Sequence, residues 1–226
     1  YDTVTVTDGS WQTLVIDISA FDDGTIAITA DVFDLADNPA TQATKTLDKD
    51  IVGPTLANDA ILMDDNIVND AEKAAVVISG TSNAENGHTV TLIITDGSTP
   101  PNSITVNPTV TGGIWSYTAN MSLWVDGTIT ITADVSDLAG NPATQATGTL
   151  NKDTVYPTLT IDNNLMGDDW VNTAEMTAVV INGTTDGENG WIVDIKLIDS
   201  TLADTIVLTA VVQNNAWLSS AADITG

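Results

Sequence analysis

Apolar and polar residues alternate along most of the chain. In the segment 128–135 every second residue is apolar, and the residues between them are threonine or aspartate. The apolar positions are Ile129, Ile131, Ala133 and Val135. This period of two is typical of a strand with one face in a core and the other in water. Threonine suits strands through its branched Cβ, and no segment has a convincing helical period, so the pattern predicts an all-β chain.

A long stretch of the chain occurs twice. Residues 24–50 return as 127–153 with five differences in 27 positions, at a constant offset of 103 residues. A period of this length suits a whole β-sandwich domain and is too long for a solenoid unit. Trp11, Trp115 and Trp217 occupy matching places in the repeats, and we expect them to anchor cores.

The second repeat predicts seven short strands separated by turn-rich segments. They are expected over about 55–61, 73–80, 89–95, 103–110, 114–120, 128–136 and 142–150. Seven strands at this spacing indicate a two-sheet immunoglobulin-like sandwich. Prolines end two short linkers, 50–54 and 153–157. We therefore expect tandem immunoglobulin-like β-sandwich domains joined end to end. Residues 1–50 would be the C-terminal half of one repeat, 54–153 a complete repeat and 157–226 the N-terminal two thirds of another.

The two end segments are expected to be incomplete sandwiches. Half a sandwich exposes an apolar sheet face and open strand edges. One expectation is that the sequence is a piece of something longer, whose flanking parts complete both ends. The alternative is that residues 1–50 of one molecule complete residues 157–226 of the next, which would make the chain a filament subunit.

The charge of the chain restricts its partners. There are 31 acidic residues against five lysines, for a formal net charge of −26. Nucleic acid is an unsuitable partner because phosphate binding needs a basic surface, and an anionic membrane would repel the chain. No apolar run is long enough to insert into a bilayer. The chain has no cysteine, so disulfides and thiolate chemistry are excluded.

Enzyme activity is not expected. His88 is the sole histidine, and its counterpart in the next repeat is Trp191. A lone loop histidine is a weak candidate for acid–base catalysis. Paired carboxylates such as Asp64 and Asp65 resemble those of glycosidases, but adjacent carboxylates on a loop, repeated in each domain, fit metal binding better.

Acidic and amide side chains concentrate in loops that the predicted topology places at the domain junctions. Carboxylates this close repel one another unless they are neutralised, and oxygen ligands are those that Ca²⁺ prefers. With no cysteine and one histidine, zinc, copper and iron are poor candidates. We predict Ca²⁺ at the junctions, and the alternative is that the acidic loops are simply solvated. The candidate ligands are Asp22, Asp23, Asp48, Asp50, Asp64, Asp65, Glu72, Glu85, Asp126, Asp137, Asn141, Asp153, Asp168, Asp169, Glu175, Asp186 and Glu188.

Several motifs carry a family resemblance that covers the whole chain. They are Asp-Asp-Asn-Ile-Val-Asn-Asp-Ala-Glu (64–72), Val-Asp-Gly-Thr-Ile-Thr-Ile-Thr-Ala (125–133), Asp-Leu-Ala-Gly-Asn (137–141) and Lys-Asp-Thr-Val-Tyr-Pro (152–157). The chain resembles the tandem bacterial Ig-like repeats of giant RTX-type surface adhesins. The resemblance implies Ca²⁺ binding at the matching acids, which are Asp50, Asp64, Asp65, Glu72, Asp126, Asp137 and Asp153. Two departures are Gly167, at the place of Asp64, and Asp37, at the place of the turn glycine, so the ligand cluster at 167–175 is expected to be weaker.

The resemblance also implies a role and a location. We expect an extender module on the outside of a bacterial cell, stiffened by Ca²⁺ between neighbouring repeats of the same chain or of adjacent identical chains. A filament subunit is one alternative. A carbohydrate-binding or other ligand-binding domain is another, with Trp124, Trp170 and Trp191 as sugar-stacking platforms. Packing of these tryptophans within loops near the junctions is the favoured interpretation.

Overall fold

The computed structural model describes residues 3–59, 62–200 and 204–225. It contains fifteen strands and one 3-10 turn but no α-helix within those residues. The chain divides into two compact units, Tyr1–Thr154 and Val155–Gly226. The fold class is all-β, as predicted. No helix among the described residues is long and apolar enough to cross a membrane.

The first two strands of the first unit form a hairpin. β1 (Gly24–Ala30) pairs antiparallel with β2 (Ala43–Lys49), with Gly24 opposite Lys49. No further strand joins this sheet among the described residues. Trp11, expected to be a core anchor, is 53% exposed, because no second sheet covers it in the described part of the chain.

The strands between Leu56 and Lys152 form a two-sheet sandwich, which we call the complete sandwich. One sheet has the order β3-β5-β8, and the other has the order β4-β10-β9-β6-β7. The strands are β3 (Leu56–Asn58), β4 (Ile67–Val68), β5 (Val76–Ser82), β6 (Thr91–Thr95), β7 (Ser103–Val106), β8 (Ile114–Ala119), β9 (Gly127–Asp134) and β10 (Ala146–Lys152). The alternating residues of both sheets meet in one core around Trp115, which is 1% exposed. The immunoglobulin-like sandwich predicted for this repeat is confirmed.

A glycine permits the central tryptophan to pack. A Cβ at Gly80 would lie 2.0 Å from the carbonyl oxygen of Ala57 and 2.5 Å from Cζ2 of Trp115. Only a residue without a side chain fits between β3 and that ring. The second unit repeats the arrangement, because a Cβ at Gly183 would lie 2.6 Å from Cζ2 of Trp217.

The loop predicted over 62–72 contains a strand. β4 pairs in parallel with β10, through Ile67 opposite Asn151 and Val68 opposite Lys152. Two residues are too few to show a period of two, and their partner is more than eighty positions away in sequence. The local pattern therefore carries no sign of this pairing.

The second unit has two smaller sheets. β11 (Leu159–Ile161), β12 (Asn182–Thr185) and β15 (Ala216–Leu218) form one, and β13 (Ile192–Ile198) and β14 (Thr205–Val211) form the other. A 3-10 turn covers Leu165–Gly167. These strands correspond to β3, β5, β8, β6 and β7, and the described residues of the unit contain no equivalents of β9 and β10. Its core surrounds Trp217, which is 3% exposed. The predicted domain boundaries stay a prediction.

Candidate functional site

A buried lysine lies at the point where the complete sandwich passes into its C-terminal linker. Lys152, on β10, is 3% exposed, and its Nζ donates to Asp126 Oδ1 at 2.5 Å. Asp126 Oδ2 accepts a hydrogen bond from the backbone N–H of Thr154 at 3.0 Å. The Lys152 hydrogen bond and then the Thr154 N–H hold the pKa of Asp126 below its ordinary value. Asp126, in the loop before β9, therefore ties the end of β10 to the linker.

The same arrangement occurs one repeat earlier. Lys49 Nζ donates to Asp23 Oδ1 at 3.2 Å and to the carbonyl oxygen of Phe21 at 2.6 Å. Asp23 Oδ2 accepts from the backbone N–H of Ile51 at 3.3 Å. The three positions recur at the offset of 103 residues, since Asp23, Lys49 and Ile51 match Asp126, Lys152 and Thr154. We call this arrangement the Lys–Asp joint: Asp23 with Lys49 and Ile51, and Asp126 with Lys152 and Thr154.

The turn 137–141 holds the first linker from the other side. Asp137 Oδ1 accepts from the backbone N–H of Asn141 at 2.8 Å, and Asp137 Oδ2 accepts from Asn141 Nδ2 at 3.0 Å. Asn141 Nδ2 also donates to the carbonyl oxygen of Asp50 at 3.1 Å. Burial raises the pKa of Asp137, but the hydrogen bonds from Asn141 and the turn backbone outweigh it and lower the pKa overall. Glu85 lies beside this turn, accepting from the Leu138 N–H at 3.3 Å.

The first linker also packs closely on this turn. A Cβ at Gly53 would lie 2.3 Å from the carbonyl oxygen of Pro142, so glycine is required for the approach. His88 joins the neighbouring loop to the same region, with Nδ1 2.8 Å from the carbonyl oxygen of Ser136 and Nε2 3.5 Å from the Glu85 carboxylate. These contacts give His88 a structural role in the loop.

The acids of the loop 62–72 cap their own backbone. Asp65 Oδ1 accepts from the N–H of Ile67 at 2.8 Å, and Glu72 Oε2 accepts from the N–H of Asn69 at 3.0 Å. Such local bonds fix the start of β4 and the turn that follows it. Asp64 is exposed and has a positive φ of 68°.

The equivalent loop of the second unit uses its acids in the same way. Asp168 Oδ1 accepts from the N–H of Trp170 at 3.0 Å, and Asp169 Oδ1 accepts from the N–H of Leu165 at 2.7 Å. Glu175 Oε2 accepts from the N–H of Asn172 at 3.0 Å. The structure thus shows a loop-forming role for acids that the sequence predicted as metal ligands.

The remaining candidates lie at exposed positions. Asp186 Oδ1 accepts from the N–H of Thr158 at 2.6 Å, Asp50 Oδ1 from the N–H of Val52 at 3.0 Å, and Asp48 Oδ1 from the Thr25 hydroxyl at 2.7 Å. The other exposed acids of the set are Asp22, Asp153 and Glu188.

The donors have the chemistry of a calcium site but are dispersed. All are carboxylate, amide or carbonyl oxygens, which are the ligands that Ca²⁺ prefers. Within the described ranges, no three acidic or histidine side chains lie close enough together to hold one metal ion. Asn141 bonds both to Asp137 and to the backbone carbonyl of Asp50, and Glu85 bonds to the backbone of the same turn. Calcium binding stays a prediction.

The tryptophans considered as sugar platforms differ in exposure. Trp124 packs against the core of the complete sandwich, as the loop-packing interpretation expects. Trp170 is 77% exposed and Trp191 is 66% exposed. Both lie in the second unit.

Sequence reasoning missed the lysines of the Lys–Asp joint. Lys49 and Lys152 stand at the same place in the repeat, directly before Asp50 and Asp153. A lysine kept at one position of an otherwise acidic repeat was the available signal. A comparison of five lysines with the total acidic charge does not reveal it, because such a comparison ignores their positions.

No family model and no curated protein matches the chain. Among solved structures, the chain is similar to a tetra-tandem repeat in the extending region of a large adhesion protein, with 24% identity and a TM-score of 0.43. The match covers 96% of this chain and 53% of that one, so the chain spans about half of its length. A structure concerned with host cell surface retention of a 1.5-MDa bacterial ice-binding adhesin shares 24% identity, with a TM-score of 0.42 over 96% of this chain and 73% of that one.

A third similar structure is a single domain. It is a bacterial immunoglobulin-like domain of the ice-binding adhesin of M. primoryensis, with 32% identity and a TM-score of 0.29. The match covers 44% of this chain and 96% of that domain. These three structural neighbours are tandem repeats and immunoglobulin-like domains of large bacterial adhesion proteins.

Proposed function

We propose that the chain is a structural extender, in which tandem immunoglobulin-like modules hold a functional domain away from a bacterial cell surface. The observation that carries the proposal is the anchored first linker. Its N–H at Ile51 is held by Asp23 on one side, and its carbonyl at Asp50 is held by Asn141 on the other, at 3.3 Å and 3.1 Å. A linker bound to both neighbours transmits orientation from one module to the next, as a spacer requires.

The charge of the chain supports an extended array outside the cell. A net charge of −26 with five basic residues makes successive modules repel one another, which opposes folding of the array onto itself. The same charge keeps a repeated β-protein soluble. The partners in this proposal are the neighbouring repeats.

We also propose Ca²⁺ as the cation of the first linker. Asp50, Asp137 and Glu85 would have to move closer together to hold it with Asn141, and the ion would neutralise carboxylates that otherwise repel. Asp23 and Asp126 are left out of this ligand set because Lys49 and Lys152 already supply them with a positive charge. The support for the proposal is the donor chemistry and the excess of acidic residues.

The experiment is small-angle X-ray scattering of the chain with Ca²⁺ and with chelator, combined with thermal unfolding. We expect a long particle in both conditions. In Ca²⁺ the distribution of particle lengths should be narrower and the Tm should be higher. A compact particle in both would contradict the extender. Identical scattering and Tm values in both would contradict the calcium proposal while leaving the extender intact.

A matched pair of variants tests the linker contact itself. Asn141→Ala removes the bond to the Asp50 carbonyl and should broaden the distribution of lengths. In the equivalent turn of the preceding repeat, Asn38 bonds to Asp34 as Asn141 bonds to Asp137. Among the described residues, Asn38 makes no hydrogen bond to a linker. Asn38→Ala is therefore the control, and equal broadening by both variants would show that the Asp50 contact is unimportant.

A further inference from the structure

We propose that Met63 and Met166 are modification sites, at which an uncharged peroxide oxidises the sulfur reversibly to a single epimer of methionine sulfoxide. The two residues are 103 positions apart, so they occupy the same place in successive repeats. The inference concerns the chemistry of one loop, and it rests neither on the extender function nor on calcium.

The sulfur of Met63 accepts a hydrogen bond from the backbone of β5. The N–H of Val77 lies 3.1 Å from Met63 Sδ. Asp59, directly after β3, donates its N–H to the carbonyl oxygen of Ser79 at 2.9 Å, and Val77 stands two residues before Ser79. Alternate residues of a strand direct their N–H groups to the same side. The sulfur therefore takes the place that a carbonyl oxygen would have in a longer β3.

The same contact recurs in the second unit. The N–H of Val180 lies 3.4 Å from Met166 Sδ. Both methionines have a positive φ, 52° at Met63 and 54° at Met166, which is uncommon for a residue other than glycine. A contact that recurs together with an unusual backbone conformation is a built feature of the repeat.

The loop around each sulfur is closed by two hydrogen bonds. The N–H of Leu62 donates to Asn66 Oδ1 at 2.7 Å, and the N–H of Asn66 donates to the Leu62 carbonyl oxygen at 2.7 Å. In the second unit the N–H of Leu165 donates to Asp169 Oδ1 at 2.7 Å, and the N–H of Asp169 donates back at 2.8 Å. These bonds restrict the loop, so the sulfur keeps its position beside the strand.

The backbone hydrogen bond makes the two lone pairs of the sulfur unequal. Oxidation at one lone pair or the other gives the two epimers of methionine sulfoxide. An oxygen added on the bonded side of Met63 would be forced between the sulfur and the Val77 nitrogen, which are 3.1 Å apart. Attack on the other lone pair leaves the hydrogen bond in place. The geometry therefore predicts one epimer at Met63 and the same epimer at Met166.

The structure has room for the added oxygen at Met63. This residue packs against the core from its edge and lines a surface cavity of about 350 Å³, together with Leu62, Asp64, Glu72, Val77 and Ser79. One water molecule takes up about 30 Å³ of liquid volume, so the cavity accommodates an oxygen atom and the water that solvates it. We therefore expect the oxidised chain to keep its fold.

The reaction is a two-electron transfer of oxygen. The free lone pair of the sulfur attacks one oxygen of hydrogen peroxide, the O–O bond breaks, and water leaves as the sulfoxide forms. An uncharged oxidant suits the site because Asp64 and Glu72 line it and the chain has a net charge of −26. Met63 and Met166 are half-buried, whereas Met121 is 0% exposed, so the two loop methionines react before the core methionine.

The experiment is oxidation of the folded chain by hydrogen peroxide, with a chelator present to prevent metal-catalysed reactions. The chain is then digested, and its peptides are treated with one of the two methionine sulfoxide reductases, each of which reduces one epimer. Mass spectrometry shows which methionines keep the added oxygen. Oxidation of the chain in concentrated urea is the matched control, because unfolding frees both lone pairs of each sulfur.

We expect the same one of the two reductases to restore Met63 and Met166 from the folded chain, and the other to leave both oxidised. After oxidation in urea, each reductase should restore part of both residues. Met63→Leu should take up one oxygen fewer in the folded state while Met166 keeps its selectivity. Circular dichroism of the oxidised chain should retain the β signal of the untreated chain.

Four results would each overturn the proposal. They are restoration of Met63 from the folded chain by both reductases as in urea, restoration of Met63 and Met166 by different reductases, oxidation of Met121 as fast as that of Met63, and loss of the β signal on oxidation.

Discussion

Lys152 Nζ lies 2.5 Å from Asp126 Oδ1 with only 3% of the lysine exposed. This pair occupies the end of the sandwich at which the sequence predicted a metal ligand. A single ammonium group there neutralises the carboxylate while the linker amide of Thr154 binds its second oxygen. The carboxylate of Asp126 is therefore neutralised by a lysine of the same chain.

Replacing the lysine should destabilise the complete sandwich. Lys152→Met leaves Asp126 with a charge but without its counterion, and we expect a loss of about 2 kcal/mol in the free energy of unfolding. Urea unfolding followed by tryptophan fluorescence measures it. Lys45→Met is the matched control, since Lys45 is exposed on the equivalent strand of the first hairpin. Equal losses in both variants would show that the Asp126 pair contributes nothing specific.

The glycine under Trp115 should tolerate no side chain. A Cβ at Gly80 would lie 2.0 Å from the Ala57 carbonyl oxygen, so Gly80→Ala must push β3 or the tryptophan ring aside. We expect a loss of about 1–3 kcal/mol from overpacking. Gly97→Ala is the control, because its nearest neighbour would be the Thr128 oxygen at 4.0 Å. Urea unfolding measures this loss. An unfolding midpoint for Gly80→Ala equal to that of the unmodified chain would contradict the close packing of Gly80 against β3 and Trp115.

The glycine of the first linker should matter for orientation more than for stability. In Gly53→Ala the added methyl would lie 2.3 Å from the Pro142 carbonyl oxygen, so the linker must move away from the turn 137–141. Scattering should show a broader distribution of lengths, while the unfolding midpoint of the core changes little. A distribution identical to that of the unmodified chain would show that the linker's approach to Pro142 does not set the module orientation.

The buried carboxylate of Asp96 should give a pH-dependent stability. Burial alone would raise its pKa, but hydrogen bonds from Ser98 and Asn102 outweigh this and lower the pKa well below the ordinary value of 3.8. A carboxyl whose pKa is lower in the folded than in the unfolded state stabilises the protein when the pH is above its unfolded-state pKa. That stabilisation is lost as the pH falls below this pKa towards the folded-state pKa. Asp96→Asn should thus cost about 2 kcal/mol at neutral pH, with the difference from the unmodified chain narrowing below pH 3.8.

This comparison needs a control because general charge repulsion also falls on acidification. Asp22→Asn removes one exposed charge and reports that general effect. A constant Tm difference between Asp96→Asn and the unmodified chain through the acidic range would contradict the pKa assignment.

The elements with a strong local pattern were the ones that sequence could predict. Residues 128–135 show the alternation that becomes β9, and the core role of Trp115 followed from its matching place in the repeats. The short parallel strand β4 depends on a distant partner and leaves no local pattern. Trp11 shares the repeat position but is exposed, because burial needs an opposite sheet that the described residues around it do not supply.

The role of the candidate site residues as metal ligands stays a prediction, and the structure shows only where some of them lie. The placement of Asp126 beside the second linker and of Asp137 beside the first linker is as expected. Their partners are local amides and lysines, which depend on side-chain geometry that counting charges cannot provide. Loop acids such as Asp65 and Asp168 bind backbone N–H groups two residues further along, a use that the same sequence pattern permits as readily as metal binding.

The parallel pairing of β4 with β10 has a mechanical consequence. The backbone N–H groups of Asn151 and Asp153 donate to the carbonyl oxygens of Asn66 and Val68, at 2.9 Å and 3.0 Å. Tension applied through the two ends of the module pulls β4 and β10 in opposite directions along their common axis. The bonds between them then bear the load together, whereas an antiparallel hairpin pulled at its open end would unzip one bond at a time. A module of this build should resist stretching by fluid drag until these bonds fail together.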